Sequence, residues 1–144
     1  MLKKITLVVL VLFVVIQFVP VDRENPPVEQ EIALPGEVAS VVERACYNCH
    51  SHETDWPWYG YVAPVSWLVA DHVHHAREHV NFSTWNRYDA EERLEKIEEI
   101  WEEVDEGAMP PWYYKPVHPE ARLSDADRAA IRPWVEGQLQ GTSE

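Results

Sequence analysis

Cys46-Tyr47-Asn48-Cys49-His50 has the Cys-x-x-Cys-His spacing of covalent haem attachment. Two thiols three positions apart can add to the two vinyl groups of one porphyrin, which gives two thioether bonds. The imidazole of His50 is then held beside the ring, where it can bind the iron as the proximal ligand. The chain has no other cysteine. The motif therefore predicts one covalent haem c, attached through Cys46 and Cys49.

Three alternative interpretations of the motif stay open. A redox-active pair needs a thiol of low pKa, usually at a helix N-terminus, whereas this pair follows a predicted helix. A zinc site would add His50 and His52 to the thiols, but structural zinc sites usually take their second ligand pair from a separate segment. A disulfide across two intervening residues would close too small a loop to add much stability. The sequence favours haem over all three.

The N-terminus has the composition of a targeting segment. Two lysines precede an apolar run from Ile5 to Val19, and no Ala-x-Ala-like cleavage site follows. This favours an uncleaved transmembrane signal anchor over residues 1–21, with a removed signal peptide as the alternative. The lysines would stay in the cytoplasm. We therefore expect a single-pass protein of the bacterial inner membrane, with its C-terminal domain on the extracytoplasmic side, where bacteria attach haem to thiols.

The charge balance limits the partners. The net charge is −13 at pH 7, so nucleic acid and anionic lipid surfaces are poor partners. A redox protein with a basic surface is the more plausible partner. The alternative is that the acidic surface only keeps the domain soluble.

The rest of the chain predicts a tether and one small helical domain. Residues 22–35 combine prolines with acidic side chains and lack a helical period, so we expect an extended tether. Within residues 36–140, apolar side chains recur at helical spacing in four segments, and no convincing strand alternation is visible. Prolines and aromatic side chains make residues 55–64 a loop, which should pack against the porphyrin. The predicted class is all-α: a small cytochrome c-like domain around one covalent haem. The helical segments are 37–45, 64–80, 89–107 and 124–139.

Histidines follow one flank of the second of these helices. His72, His75 and His79 share that flank, and His75 and His79 lie one turn apart. His75 and His79 would form a metal-binding pair, or one of the three histidines would be the distal haem ligand. The favoured interpretation is a polar flank bonded to water, carboxylates or haem propionates.

Met109 is the candidate distal ligand. It is the only methionine besides Met1, and two prolines follow it. A thioether is a soft ligand that binds haem iron in cytochromes c, and the prolines would stiffen the loop that presents it. The alternative is a methionine that fills a gap in the core.

At this point the chain resembles the bacterial haem-binding domain family, whose members carry a single c-type haem and often an N-terminal anchor. The resemblance covers about Val38 to Leu139. It implies that Cys46 and Cys49 attach haem, that His50 ligates it, and that Met109 occupies the distal position of a cytochrome c. One departure is Ala76 before Arg77, where glycine is expected. The resemblance rests on Cys46 to Ser51, Trp56-Pro57-Trp58-Tyr59, Ala63-Pro64-Val65-Ser66-Trp67, Asp71-His72-Val73 with Arg77, Asn81-Phe82-Ser83-Thr84-Trp85, and Met109-Pro110.

Together these observations predict a membrane-tethered monohaem cytochrome that transfers single electrons. His50 and Met109 would keep the iron six-coordinate in both oxidation states, which favours electron transfer. The alternative is a haem-based sensor or a module that binds a gas or another ligand. We expect no enzyme, because one haem motif provides no second redox centre.

Overall fold

The structure is a computed structural model that describes residues 1–141. This part of the chain contains six α-helices and three short 3-10 turns, and its only β pairing is an isolated bridge between Gln30 and Thr84. The prediction of a small all-α domain is confirmed. The helices are α1 (Leu2–Ile16), α2 (Gly36–Ala45), α3 (Tyr47–His50), α4 (Val65–His79), α5 (Ala90–Asp105) and α6 (Asp125–Gln140), and the 3-10 turns are Trp58–Tyr61, Trp85–Arg87 and Pro119–Ala121.

Side-chain caps fix where the two longest helices of the domain begin. Asp89 accepts the N–H of Glu92, whose carboxylate accepts the N–H of Asp89. Ser124 and Asp127 form the same reciprocal box at the start of α6. Such boxes satisfy N–H groups that the first helical turn leaves unpaired. After α5, Gly107 adopts φ 74°, a left-handed conformation that glycine enters without a Cβ penalty.

The hydrophobic core lies between α2, α5 and α6. Its buried side chains are the apolar stripes that the sequence predicts, because residues three and four apart share one helix face. Phe82 and Trp85, from the loop after α4, complete the core. The main helical contributors are Val38, Val41, Val42, Ile97, Val104, Ile131 and Val135.

The predicted transmembrane anchor is not borne out. Helix α1 has 15 residues and is therefore ~22 Å long at 1.5 Å per residue, short of the ~30 Å hydrocarbon core of a bilayer. Within residues 1–141, no helix is both long enough and apolar enough to span a membrane. The inner-membrane, single-pass location inferred from the anchor is therefore wrong. The helix ends at Gln17, whose side-chain amide forms two hydrogen bonds with the main chain of Ala63, at 2.9 and 3.1 Å.

Residues 22–35 form no helix, and part of this segment lies along the domain. The N–H of Gln30 donates to the carbonyl of Ser83 at 3.2 Å, and the N–H of Ile32 donates to the carbonyl of Phe82 at 3.1 Å. The side chain of Ile32 is buried. Main-chain hydrogen bonds thus hold this segment against the loop that follows α4.

Candidate functional site

The Cys-x-x-Cys-His motif forms a single helical turn directly after α2. Cys46 is the last residue before this turn, and its N–H donates to the carbonyl of Val42 at 2.8 Å. Its own carbonyl accepts the N–H groups of Cys49 and His50 at 3.0 and 2.9 Å. The turn therefore holds both thiols and the imidazole in one short, hydrogen-bonded unit.

The end of α4 orients the imidazole of His50. Its Nδ1 lies 3.0 Å from the carbonyl oxygen of Ala76 and 3.1 Å from that of Val80. Carbonyl oxygens only accept hydrogen bonds, so Nδ1 carries the hydrogen and Nε2 keeps its lone pair. Burial lowers the pKa of His50, which keeps the ring neutral at pH 7. No hydrogen bond among the described residues uses Nε2, so this atom is available to a metal ion.

Both cysteines are free thiols. Burial and the neighbouring Cys49 raise the pKa of Cys46 to about 12, and burial raises the pKa of Cys49 to about 11. The nucleophile of a redox pair is a thiolate of low pKa, and neither thiol has this character. The redox interpretation of the motif therefore has no support here.

The hydrogen bonds of His52 argue against a zinc site, which would need this side chain as a ligand. Its Nδ1 lies 3.0 Å from the carbonyl oxygen of Pro27, and its Nε2 lies 2.8 Å from the amide nitrogen of Asn81. Both ring nitrogens are thus used in hydrogen bonds. In residues 1–141, no group of three or more His, Cys, Asp or Glu side chains is arranged to hold a metal ion. For the suggested metal pair of His75 and His79, no third His, Cys, Asp or Glu among the described residues completes a metal site.

A cavity of about 780 Å³ opens beside the motif. Cys49, His50 and Met109 line it, whereas Cys46 packs against the hydrophobic core. The N–H of Met109 donates to the carbonyl of Glu103 at 2.9 Å, which fixes the residue just beyond the last turn of α5. The cavity therefore brings two predicted iron ligands together from distant parts of the sequence. The alternative ligands His72, His75 and His79 also line it.

The side chains of α4 and α5 give the cavity an apolar wall with an acidic edge. Val65 and Leu68 are 43% and 55% exposed, and both line the cavity. On the outer face of α5, Glu99, Glu102 and Glu103 are exposed. These three also line the cavity, so the acidic face reaches its edge.

Phe82 contacts the Cys-x-x-Cys-His motif through its main chain and its ring. Its N–H donates to the carbonyl of His50 at 2.8 Å, and its ring stacks on Tyr47 with 5.5 Å between centroids. The hydroxyl of the buried Ser83 accepts the N–H of His52 at 2.9 Å. The Asn-Phe-Ser-x-Trp string was noted in the sequence only as part of a resemblance. It contacts the helical turn Tyr47–His50, which carries the proposed iron ligand and is called the ligand turn below.

Arg77 is a second residue whose role the sequence did not reveal. From α4 its guanidinium donates to the carbonyls of Ser51 and Glu24 at 2.8 and 3.0 Å. It also donates to the side chains of Asn25 and Thr54 at 2.8 and 2.9 Å. It therefore ties the ligand turn to the extended N-terminal segment. No periodicity predicts such a contact, because all four of its partners lie in loops.

A model of a haem-binding domain family matches residues 11–137. The chain belongs to the haem-binding domain family. Comparisons with curated proteins and with solved structures gave no match. The family match begins inside α1 and includes residues 22–35, which agrees with the packing of that segment against the domain.

The residues of the cavity fit a haem. Its volume lies within the ~300–1,000 Å³ of cofactor pockets, and its exposed apolar side chains would cover a porphyrin. The indole N–H of Trp56 is buried and has no hydrogen-bond partner in residues 1–141, while its neighbours Asp55 and Pro57 line the cavity. An unpaired buried donor costs about 1–3 kcal/mol. Trp56 itself does not line the cavity, so the fit to a haem depends on the cavity volume and its apolar side chains.

Proposed function

We propose that this haem-binding protein is a monohaem c-type cytochrome that carries single electrons. Cys46 and Cys49 would hold haem c through two thioether bonds. His50 would bind the iron through Nε2, and Met109 would be the distal ligand. When bound, the haem supplies a one-electron couple. The protein would supply attachment, orientation and a pocket of low polarity.

One observation carries this proposal: a single cavity joins an imidazole with an unprotonated Nε2 to a thioether. The hydrogen bonds from Nδ1 of His50 to Ala76 and Val80 orient the ring and make its Nε2 a better ligand. Met109 is held by its main-chain bond to Glu103 and is followed by two prolines, which favours it over the histidines of α4. His75 is 63% exposed at its side chain and hydrogen-bonds Asp71 through Nδ1.

We propose no catalytic role for this site, because two protein side chains would fill both axial positions of the iron. The apolar α4 wall would limit the access of water to the cofactor. Both effects would keep the surroundings of the iron similar in the two oxidation states, which favours electron transfer over activation of a bound ligand.

The acidic edge of the cavity favours a basic redox protein as partner. Glu99, Glu102 and Glu103 would present negative charge where the cofactor comes closest to the surface of α5. Complementary charge increases encounter rates at low ionic strength. This partner would exchange electrons through the exposed edge of the cofactor.

The test is a visible spectrum of the purified full chain, oxidised and reduced, with a pyridine assay for covalent haem. We expect a low-spin spectrum in both states and haem that stays with the polypeptide in acidic organic solvent. The reduced protein should not bind carbon monoxide readily. A colourless folded protein would contradict the proposal, and ready carbon monoxide binding would favour a haem-based sensor or ligand-binding module.

A further inference from the structure

Three side chains form a hydrogen-bonded chain at the side of the cavity. The hydroxyl of Tyr59 lies 2.6 Å from Nε2 of His118, and Nδ1 of His118 lies 2.9 Å from Oε1 of Glu120. The ring of Tyr114 stacks on that of His118, with centroids 4.0 Å apart and an interplanar angle of 11°. Both ring nitrogens of His118 thus have fixed partners on opposite sides.

This chain runs from the cavity to the solvent. Tyr59 and Tyr114 line the cavity, the His118 side chain is 14% exposed, and the Glu120 side chain is 54% exposed. Because each donor or acceptor touches the next, a proton bound by His118 changes the hydrogen bonding of Tyr59, which lines the cavity.

The direction of the Tyr59–His118 bond depends on the charge of the imidazole. In neutral His118, Nδ1–H donates to Glu120, so Nε2 must accept the hydroxyl hydrogen of Tyr59. In protonated His118 both nitrogens donate, so the Tyr59 oxygen accepts and its O–H is free to turn towards the cavity. One proton on His118 therefore places a positive charge near the cofactor and makes Tyr59 a donor towards it.

The charged groups around His118 come from several elements. Glu120 has a lowered pKa, through a hydrogen bond with its own main chain and then with His118, and it is a carboxylate at neutral pH. Burial raises the pKa of Tyr59 and, to about 12, that of Tyr114, so both are neutral. Arg44 of α2 donates to the carbonyl of Glu120 at 2.5 Å. The immediate contacts of the imidazole are thus one carboxylate and two neutral phenols, which suits a proton acceptor.

We propose that His118, held between Tyr59 and Glu120, is a proton acceptor coupled to the haem, so that reduction of the haem is accompanied by proton uptake at Nε2 of His118. This rests on the proposed one-electron function. One electron from a reduced protein donor goes to the haem, and one proton from solvent binds Nε2 of His118. The added charges cancel, so the net charge of the site is unchanged, and reoxidation releases both the electron and the proton.

The test is the midpoint potential of the haem-loaded full chain between pH 5 and 9. We expect the potential to fall as pH rises over part of this range, by up to ~59 mV for each tenfold change in proton concentration. His118→Gln should flatten this dependence while leaving the low-spin spectrum unchanged. His74→Gln removes an exposed imidazole outside the cavity and should behave as the wild type. The proposal would be overturned by a wild-type midpoint potential that is independent of pH. It would also be overturned if the potential of H118Q depended on pH as strongly as that of the wild type.

A second measurement covers the case in which H118Q does not fold. Ring-proton NMR of the wild-type chain should show that His118 binds its proton more tightly in the reduced than in the oxidised protein. Equal proton affinity in both states would overturn the proposal. The absence of a reversible one-electron couple would instead contradict the electron-carrier function, so the two failures are distinguishable.

Discussion

Arg77 Nε lies 2.8 Å from the carbonyl oxygen of Ser51 and donates a hydrogen bond to it. Ser51 directly follows the proposed proximal ligand His50, so α4 holds the ligand turn at its C-terminal end. The same guanidinium also binds Glu24 and Asn25. The position of the ligand turn thus depends on one cationic side chain and on the N-terminal segment.

Arg77→Ala should lower the free energy of unfolding by about 2–4 kcal/mol, because several part-buried acceptors lose their donor at once. Urea unfolding of the haem-free chain measures this directly. Arg132→Ala is the matched control, since Arg132 makes an exposed pair with Glu136 within one helix and its loss should lower the free energy of unfolding far less. Equal losses for the two variants would contradict the bridging role of Arg77.

Removal of the thiols should abolish the covalent attachment of haem without abolishing haem binding. In the Cys46→Ala/Cys49→Ala double variant, His50 and the cavity are intact, so we expect haem to bind without covalent bonds and to be extracted by acidic acetone. Each single variant should keep one thioether and shift the pyridine spectrum to longer wavelength. Haem that resists extraction from the double variant would rule out the proposed linkage.

Met109→Ala should remove the absorption band of thioether-bound ferric iron and lower the reduction potential, since a Met ligand raises it. His72→Ala, His75→Ala and His79→Ala serve as controls, because all three residues line the same cavity. Spectra of the four variants identify the ligand. If only a histidine variant changes the spectrum, the distal ligand is that histidine and Met109 is a structural side chain.

Stability should depend on pH through Asp127. Arg44 lies 2.5 Å from its carboxylate, and this hydrogen bond lowers the pKa of Asp127 to about 2, below its ordinary value of about 4. The ionised carboxylate thus stabilises the fold above about pH 4, and this contribution is lost as pH falls through about 2.

Asp127→Asn should therefore be less stable than the wild type by about 1–2 kcal/mol at pH 7, and the difference should shrink towards pH 2. Urea unfolding at several pH values measures it. Asp125→Asn, two positions earlier and fully exposed, should differ little from the wild type at any pH. A constant difference across the range would show that the charge of Asp127 is not responsible.

The acidic edge of the cavity should control electron exchange with charged donors. At low ionic strength, the cationic donor hexaammineruthenium should reduce the wild-type protein several-fold faster than it reduces the Glu99→Lys/Glu102→Lys variant. Added salt should remove this difference in rate. Glu91→Lys/Glu95→Lys changes the same charge away from the cavity and is the control. Equal rates for both variants would mean that only net charge matters.

Several features followed from the sequence because their signals are local. Helical spacing of apolar side chains identified α2, α4, α5 and α6, and the predicted segments 89–107 and 124–139 begin at the residues that cap α5 and α6. The family resemblance was confirmed by the match over residues 11–137. The predicted anchor was wrong because the apolar run forms a helix of only 15 residues, and a spanning helix needs ~20.

The sequence by itself determined the all-α class, the apolar helix faces and membership of the haem-binding domain family. Only the tertiary structure decided that residues 22–35 lie against the domain, that His50 offers Nε2, and that Met109 reaches the same cavity. The first set depends on repeating patterns within a few turns of helix. The second depends on single hydrogen bonds between distant loops and main-chain carbonyls, which leave no periodic trace in the sequence.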